Sequence, residues 1–413
     1  MYVCLFSKER HQTLEPLTWD ASRVKQGIDF IFQNNENNFH EQHLWAAHPD
    51  DLYYDGQTGP FLDLYMGAAG VMWAQNQLAK KGYGALSRSY LPYLESFHNN
   101  QFPRIKSDLH DFNCENIHEY KTGLLLGDAG FLATKLAFAP QQTTLEALYN
   151  HIQNSHGNAI NEYMWGDAGC LALFLAYHQH FDQKAVESVV QKRLRTFKSA
   201  LKPHELMDCE FWEQNLYGSM RNYLGSVHGF AGNAFSILKA LPFLDESAEW
   251  KIRIRKTIKA TAITKDGFAN WPTTMDELQT PKQDLLLQFC HGAPGMISCL
   301  SSLMNEGDQD FDDLMINGGH LIYHAGPLTK GSNICHGTAG NGFALLKLFS
   351  VTNDQMWLER ARQFAMAALY QCENRYRDMG QHRYSLWTGD AGLALFLDAC
   401  LHAHSDIPTM DYF

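Results

Sequence analysis

The stretch GDAGCLALFLAYH, residues 166–178, places a glycine-rich quartet directly before a run that is apolar on nearly all sides. At an ordinary glycine frequency of about 7%, fewer than about one quartet of the form Gly-x-Ala/Pro-Gly is expected by chance in a chain of 413 residues. The unequal spacings indicate one repeated structural unit with loops of varying length. The chain contains seven such quartets, at 67–70, 127–130, 166–169, 229–232, 292–295, 337–340 and 389–392.

The segments around the quartets follow two helical patterns. The runs after most quartets, such as FALLKLFS from Phe343 and LALFLDACL from Leu393, need burial on most faces. Strand signals are sparse. The sequence therefore predicts an all-α closed ring of about seven inner and seven outer helices, with the quartets gathered at one end, where helix N-termini favour anions. For the first three quartets, an alternative is that the glycines only serve packing. The outer helices are expected to show a single apolar stripe, as in Val186, Val189, Val190, Leu194, Phe197 and Leu201, or Trp357, Ala361, Phe364, Ala365 and Ala368.

Composition excludes several classes of protein. A formal net charge of −12 argues against a nucleic-acid binder held by phosphate contacts, although it is compatible with a local basic pocket. No run reaches the ~18 apolar residues that a membrane span requires, and residues 1–20 have no export signal. The nine cysteines are scattered rather than dense, and those inside apolar runs, such as Cys170 and Cys400, are expected to be buried thiols. These features predict a soluble, cytoplasmic protein.

Three later quartets carry side chains with chemistry just before their first glycine. They read SVHGFAGN with His228, FCHGAPGM with Cys290 and His291, and NICHGTAGNG with Cys335 and His336. If equivalent turns meet at one end of the ring, two thiols and an imidazole converge into a three-ligand set for Zn²⁺ with a fourth position open. The spacing alone is weak evidence, because the chain has no C-x-x-C pair. The alternative is a group of buried thiols with histidines that are hydrogen-bonded to the backbone.

Together, HGFAG, CHGAPG, CHGTAGNG and the closing WTGDAG resemble the LanC family of lanthipeptide cyclases and LanC-like proteins over about residues 60 to 400. The resemblance implies an α/α toroid of seven repeats, with one zinc bound by Cys290, Cys335 and His336. It assigns no ligand role to His291. We therefore expect residues 1–413 to form one toroid domain, with residues 1–60 as a helical N-terminal lead-in.

The resemblance also implies addition of a thiol across the double bond of a dehydroalanine or dehydrobutyrine residue. A thiol that coordinates zinc is ionised, so zinc would present the nucleophile as a thiolate. The enolate left by the attack needs a proton. His228 is the candidate donor, and Glu162, near the place where peptide cyclases carry an acid, is a second candidate.

Lys330 lies five positions before Cys335, in LTKGSNIC. The eukaryotic LanC-like proteins resemble this chain in a Lys-Gly at that place, associated there with glutathione and phosphopeptide substrates. A lysine near zinc can bind a phosphate or a glutathione carboxylate as a point charge; the alternative is a solvated loop lysine. Phe289 stands where the family often has Trp. No dehydratase-like domain precedes the ring, so a dehydroamino acid must come from elsewhere or from elimination of phosphate from phospho-Ser or phospho-Thr.

Three other functions remain open at this point. One is cyclisation of a dehydrated precursor peptide, and another is non-catalytic binding of zinc and glutathione by a regulatory protein. A more distant one is another toroid enzyme, such as a prenyltransferase subunit or a glycosidase, the latter needing a facing carboxylate pair. Asp128, Asp167 and Asp390 could be mistaken for such a pair, but we expect them to satisfy free N–H groups at helix N-termini. The sequence indicates neither the thiol donor nor the oligomeric state.

Overall fold

The computed structural model describes residues 4–52, 59–97, 118–155, 157–244, 247–280 and 282–413. Its α-helices are α1 Ala21–Asn37, α2 Ala68–Lys80, α3 with helical residues 91–97, α4 Asp128–Phe138, α5 Gln142–Asn154, α6 Asp167–Ala176, α7 Gln183–Ala200, α8 Phe230–Ala240, α9 Ser247–Thr261, α10 Asp276–Gln279, α11 Ala293–Leu300, α12 Gln309–Ala325, α13 Thr338–Thr352, α14 Gln355–Met379 and α15 Asp390–His402. Three antiparallel two-stranded pairs join Lys202–Pro203 to Glu210–Phe211, Gln214–Leu216 to Ser219–Arg221, and Ile263–Lys265 to Phe268–Asn270.

The seven helices that begin at the quartets form a closed inner ring. Each packs against the next in the order α2, α4, α6, α8, α11, α13, α15, and α15 packs back against α2. In α6 every residue from Asp167 to Leu175 is buried, as the all-round apolar pattern predicts. The all-α toroid expected from the sequence is thus confirmed.

The remaining long helices lie outside this ring. Helix α1 packs on α15 and α2, α5 on α4 and α6, α7 on α6, α9 on α8, α12 on α11 and α13, and α14 on α13 and α15. The predicted stripe of α14 is buried, and so is that of α7 from Val186 to Phe197. Leu201 is an exception, because α7 ends at Ala200 and Leu201 is only partly buried.

Backbone hydrogen bonds tie the quartets together at one end of the ring. In these backbone bonds, every donor residue and every acceptor residue stands two positions before the first glycine of its quartet. A bond from the Ser226 hydroxyl to the Phe289 carbonyl (2.6 Å) links the fourth and fifth copies. The predicted convergence of equivalent turns is therefore present. The N–H to carbonyl bonds run from Tyr65 to Leu125 (2.9 Å), Leu125 to Met164 (2.9 Å), Met164 to Val227 (3.3 Å), Cys290 to Cys335 (3.1 Å), Cys335 to Trp387 (2.9 Å) and Trp387 to Tyr65 (2.9 Å).

The last glycine of each quartet is required by close packing. A Cβ at Gly340 would overlap the carbonyl oxygen of Ile334 and would lie 2.8 Å from the Cβ of Phe289. The same relation, with the carbonyl six residues earlier, recurs in all seven quartets. Glycine lets each helix start lie directly on the loop that precedes it, so the repeated glycines hold the loops of the site in place.

The expectations for membrane spans, cysteines and domain organisation can also be compared with the structure. In the described ranges, no helix is long and apolar enough to cross a membrane. Eight cysteines are free and, except for Cys4, they are buried; Cys114 lies outside the described residues. Residues 1–60 contain α1, and the assignment of the whole chain to one domain stays a prediction.

Candidate active site

Cys290, Cys335 and His336 lie together at the quartet end of the ring. Cys290 precedes α11 and Cys335 precedes α13, and the backbone bond between these two residues holds the loops side by side. The three potential ligand atoms lie within 4.8 Å of one another, with 4.0 Å between Cys290 Sγ and His336 Nδ1. Both cysteines are buried and His336 is partly buried.

Hydrogen bonds, neighbouring charges and burial shift the pKa values of the two thiols in opposite directions. A hydrogen bond from Cys335, together with the charges of His291 and His336, holds the pKa of Cys290 well below its usual range despite burial. Burial raises the pKa of Cys335, and so does the thiolate beside it. The Gln288 amide donates to Cys290 Sγ at 3.0 Å. The contact between the two thiols therefore displaces their pKa values in opposite directions, downward for Cys290 and upward for Cys335.

This donor set suits zinc. Thiolate and imidazole are the ligands that Zn²⁺ prefers, and three protein ligands leave its fourth position for water or substrate. His291 lies outside the set, as the family resemblance implies. Its Nδ1 is buried and has no hydrogen-bond partner within the described ranges. The sequence analysis did not single out Gln288 or Tyr65, whose side chain hydrogen-bonds the Cys335 thiol. Tyr65 stands at the same offset from its quartet as Cys335, and that offset was the available signal.

His228 is bound to Glu162. His228 Nδ1 and Glu162 Oε2 are 3.0 Å apart, and the Glu162 side chain is fully buried. The same carboxylate accepts backbone N–H groups of Met164 (3.0 Å), Trp165 and Gly166 (3.0 Å). Because a carboxylate only accepts, Nδ1 of His228 carries the proton of this bond, and Nε2 is the nitrogen left for other partners.

His228 and the cysteine pair belong to adjacent parts of the same ring end. The Tyr223 ring lies 6.1 Å from the His228 ring and 5.8 Å from the His291 ring. Burial lowers the pKa of His291, and charges on His228 and His336 lower it further. His228, His291 and His336 all stand directly before the first glycine of their quartets, so equivalent positions of three neighbouring copies line one region.

Lys330 lies in a cleft of about 640 Å³ that also reaches His336. Lys330 is exposed and makes no ion pair in the described part of the chain. Two further cations line the cleft, Arg375 and Arg383. Unlike Lys330, they are paired with carboxylates, Arg375 with Asp50 and Arg383 with Asp51 (both 2.5 Å). Neither arginine belongs to a pattern that the sequence singles out. Arg375 comes from α14, and Arg383 lies in the loop between α14 and the last quartet.

The structure shows the neighbours of Phe289, which differs from the family pattern, and of Asp390. Phe289 is fully buried, with its ring 5.3 Å from that of Trp387. Asp390 was expected to satisfy free N–H groups at a helix N-terminus. Its carboxylate accepts one backbone N–H, that of Arg383 in the preceding loop (3.0 Å), and it also contacts His382 Nδ1 (2.7 Å).

Comparisons with known proteins agree with this architecture. A family model described as lanthionine synthetase C-like protein matches residues 61–411. The chain is 23% identical to glutathione S-transferase LANCL1 of Danio rerio over 332 residues, 76% of this chain and 80% of that one. It is 28% identical to LanC-like protein GCL1 of Arabidopsis thaliana over 195 residues, 45% of this chain and 42% of that one.

The fold also matches a solved structure. Nisin cyclase superposes with a TM-score of 0.55 at 15% identity, covering 92% of this chain and 94% of that one. The likeness is one of fold, and it agrees with the closed ring of α2 to α15. With the family match over residues 61–411, it leads to one conclusion: the chain belongs to the lanthionine synthetase C-like protein family.

Proposed function

We propose that this protein is a zinc-dependent enzyme that adds a thiol, glutathione in the favoured form, to dehydroalanine or dehydrobutyrine residues of peptides or proteins. The observation that carries the proposal is the gathering of Cys290, Cys335 and His336 beside a carboxylate-bound histidine, His228. The name of the LANCL1 relative, a glutathione S-transferase, supports glutathione as the thiol. The compartment proposed from the sequence is the cytoplasm.

Cys290, Cys335 and His336 would hold the zinc. When bound there, zinc would keep a coordinating thiol ionised at neutral pH and available for attack. The geometry supports this assignment, because both thiols are buried and their sulfur atoms lie within 4.8 Å of a nitrogen of His336.

His228 would deliver the proton that completes the addition. The new C–S bond forms at the β-carbon, the π electrons move to give an enolate, and a proton from His228 Nε2 forms the C–H bond at the α-carbon. The proton that the thiol loses on ionisation restores His228. With its oxygens engaged by backbone N–H groups and by His228, Glu162 would be a positioning residue that fixes the tautomer and ring orientation of His228 rather than a second acid.

Lys330 would bind an anionic group of a substrate. Its ammonium has no carboxylate partner among the described residues and stands in the same cleft as His336. A glutathione carboxylate would suit this charge when the thiol is directed toward the metal ligands. A phosphate would suit it in the variant of the reaction in which phosphate elimination from phospho-Ser or phospho-Thr precedes addition.

The test is incubation of a dehydroalanine peptide with glutathione, followed by mass spectrometry, with zinc measured in the same samples. We expect one glutathione added per peptide above the uncatalysed rate, and loss of both activity and zinc at this site in Cys335→Ala. Cys299→Ala, which removes a buried thiol of α11 outside the site, is the matched control and should keep both. His228→Ala should keep zinc while the rate falls roughly 10²–10⁴-fold.

Lys330→Gln tests the anion site separately. We expect a higher KM for glutathione with little change in kcat, because an exposed point charge serves binding. Lys256→Gln, on the outer helix α9, is the control. Thioether formation within a cysteine-containing dehydrated peptide, without added thiol, would instead indicate the peptide cyclase. Tight glutathione binding without adduct would indicate the non-catalytic regulatory protein.

A further inference from the structure

A second cluster of potential metal ligands lies between α14 and the start of α15. It consists of Cys372 on α14, His382 in the following loop and Asp390 at the beginning of α15. All three residues are buried, and their ligand atoms lie within 4.8 Å of one another, as in the set formed by Cys290, Cys335 and His336. The reaction proposed above uses none of the three.

The imidazole of His382 is oriented toward the other two side chains. Its Nδ1 lies 2.7 Å from Asp390 Oδ2 and 3.8 Å from Cys372 Sγ. The rings of Tyr376, at 4.7 Å, and Phe30, at 5.2 Å, hold the plane of the imidazole. Within the described ranges, Nε2 is buried without a hydrogen-bond partner. The polar contacts of the His382 imidazole are therefore on its Nδ1 edge, which faces the thiol and the carboxylate.

These separations are close to those of a zinc site. With Zn–S near 2.3 Å and Zn–N or Zn–O near 2.0–2.2 Å, a tetrahedral ion separates sulfur from nitrogen by about 3.5 Å and nitrogen from oxygen by about 3.3 Å. The sulfur–nitrogen pair therefore needs to close by about 0.3 Å, and the nitrogen–oxygen pair needs to open by about 0.6 Å. A metal bound here would replace the hydrogen bond between His382 and Asp390.

The other quartet aspartates show that this set differs from an ordinary ion pair of the repeat. Asp167 is paired with Arg193 (2.6 Å) and Asp128 with Lys121 (3.8 Å), both of which are cations that do not bind zinc. In the last copy, the side chains nearest the aspartate are an imidazole and a thiol rather than a lysine or an arginine. These side chains and the aspartate form a set of donors that suit a zinc-class ion.

A cavity adjoins two of the three residues of the cluster. Cys372 and His382 line a cavity of about 400 Å³ on the outer face of the ring, together with Arg23 and Phe30 of α1 and Glu373 of α14. An ion can enter through this cavity, and water in it can supply a fourth ligand. The cavity is separate from the cleft that contains Lys330 and His336.

We propose that Cys372, His382 and Asp390 form a second binding site for a divalent ion of the zinc class, with water as the fourth ligand. The site would clamp the loop between α14 and α15 onto the quartet of the last copy. Because Asp390 also borders the cleft of Lys330 and accepts a hydrogen bond from Ser332 (3.3 Å), a metal here would stabilise one wall of that cleft.

The test is metal stoichiometry of the whole chain after loading with Zn²⁺ and removal of loosely bound ions. We expect two zinc ions per chain in the wild type, one in Cys290→Ala/Cys335→Ala and one in Cys372→Ala. Cys400→Ala, which removes a buried thiol of α15 outside the cluster, should keep two. A single wild-type ion that disappears in the double variant would overturn this proposal and leave the function proposed above intact. A single ion lost only in Cys372→Ala would support it and overturn the first metal set.

A second measurement guards against loss of folding in Cys372→Ala. Co²⁺ bound to the Cys290→Ala/Cys335→Ala variant should give a thiolate-to-metal charge-transfer band, because Cys372 would then be the thiolate ligand. The near-isosteric Asp390→Asn and the variant His382→Gln, each made in that background with circular dichroism unchanged, should weaken Co²⁺ binding at least tenfold. Absence of a charge-transfer band, or unchanged binding in both variants, would refute the site.

Discussion

Gly340→Ala should destabilise the fold and disturb the metal ligands together. The new Cβ would overlap the Ile334 carbonyl oxygen and lie 2.8 Å from Phe289 Cβ. Relief requires movement of Ile334 and thus of Cys335, whose backbone bonds to Cys290 (3.1 Å) and Trp387 (2.9 Å) close the loop ring. Overpacking costs roughly 1–3 kcal/mol, and two weakened hydrogen bonds cost about 1 kcal/mol each.

A small gain opposes this loss. Alanine is favoured over glycine within a helix by roughly 0.5–1 kcal/mol, so the net loss of unfolding free energy should be about 2–4 kcal/mol. Denaturant unfolding, followed by tryptophan fluorescence and far-UV circular dichroism, measures it, and zinc titration of the same variant should show weaker binding.

Gly27→Ala is the matched control. It lies within α1, and its Cβ would meet only the end of the Leu369 side chain, which can rotate away. We expect its unfolding free energy to stay within about 1 kcal/mol of the wild type. If Gly340→Ala is no less stable than Gly27→Ala, the close contact between the quartet glycines and the preceding loops does not constrain the fold, and the reasoning is refuted.

Two further predictions concern buried charges away from the site. Burial raises the pKa of Asp398, but hydrogen bonds from His404, Lys81 and Tyr83 outweigh it and hold the pKa well below its usual value. The resulting stability is present above the unfolded pKa of about 3.9 and is lost as pH falls through the native pKa; Asp398→Asn should flatten the acid limb of stability against pH, and an unchanged limb would contradict this. Arg193→Met should cost roughly 3–5 kcal/mol in denaturant unfolding, because it leaves the Asp167 carboxylate buried without its 2.6 Å partner; a change below about 1 kcal/mol would show that the pair is not needed.

The outcome for particular residues shows which parts of the site the sequence could indicate. His228, Cys290, Cys335 and His336 were found because each stands at a fixed offset from a quartet, and equivalent offsets meet when repeats close into a ring. Arg375 and His382 gave no such signal, because they come from an outer helix and a connecting loop whose positions depend on packing. Asp390 accepts a backbone N–H group, but from the loop before its helix, and no local pattern indicated its contact with His382.

By itself, the sequence determined the family and the closed ring of helices, and it predicted the residues of the candidate site. It could do so because the glycine quartets and the all-round apolar runs are local patterns that recur seven times. Only the tertiary structure decided which side chains contact one another. Cys290 lies against Cys335, Glu162 contacts His228, and Cys372 contacts His382. Each pair depends on the packing of segments that are distant in the chain, which no local pattern encodes.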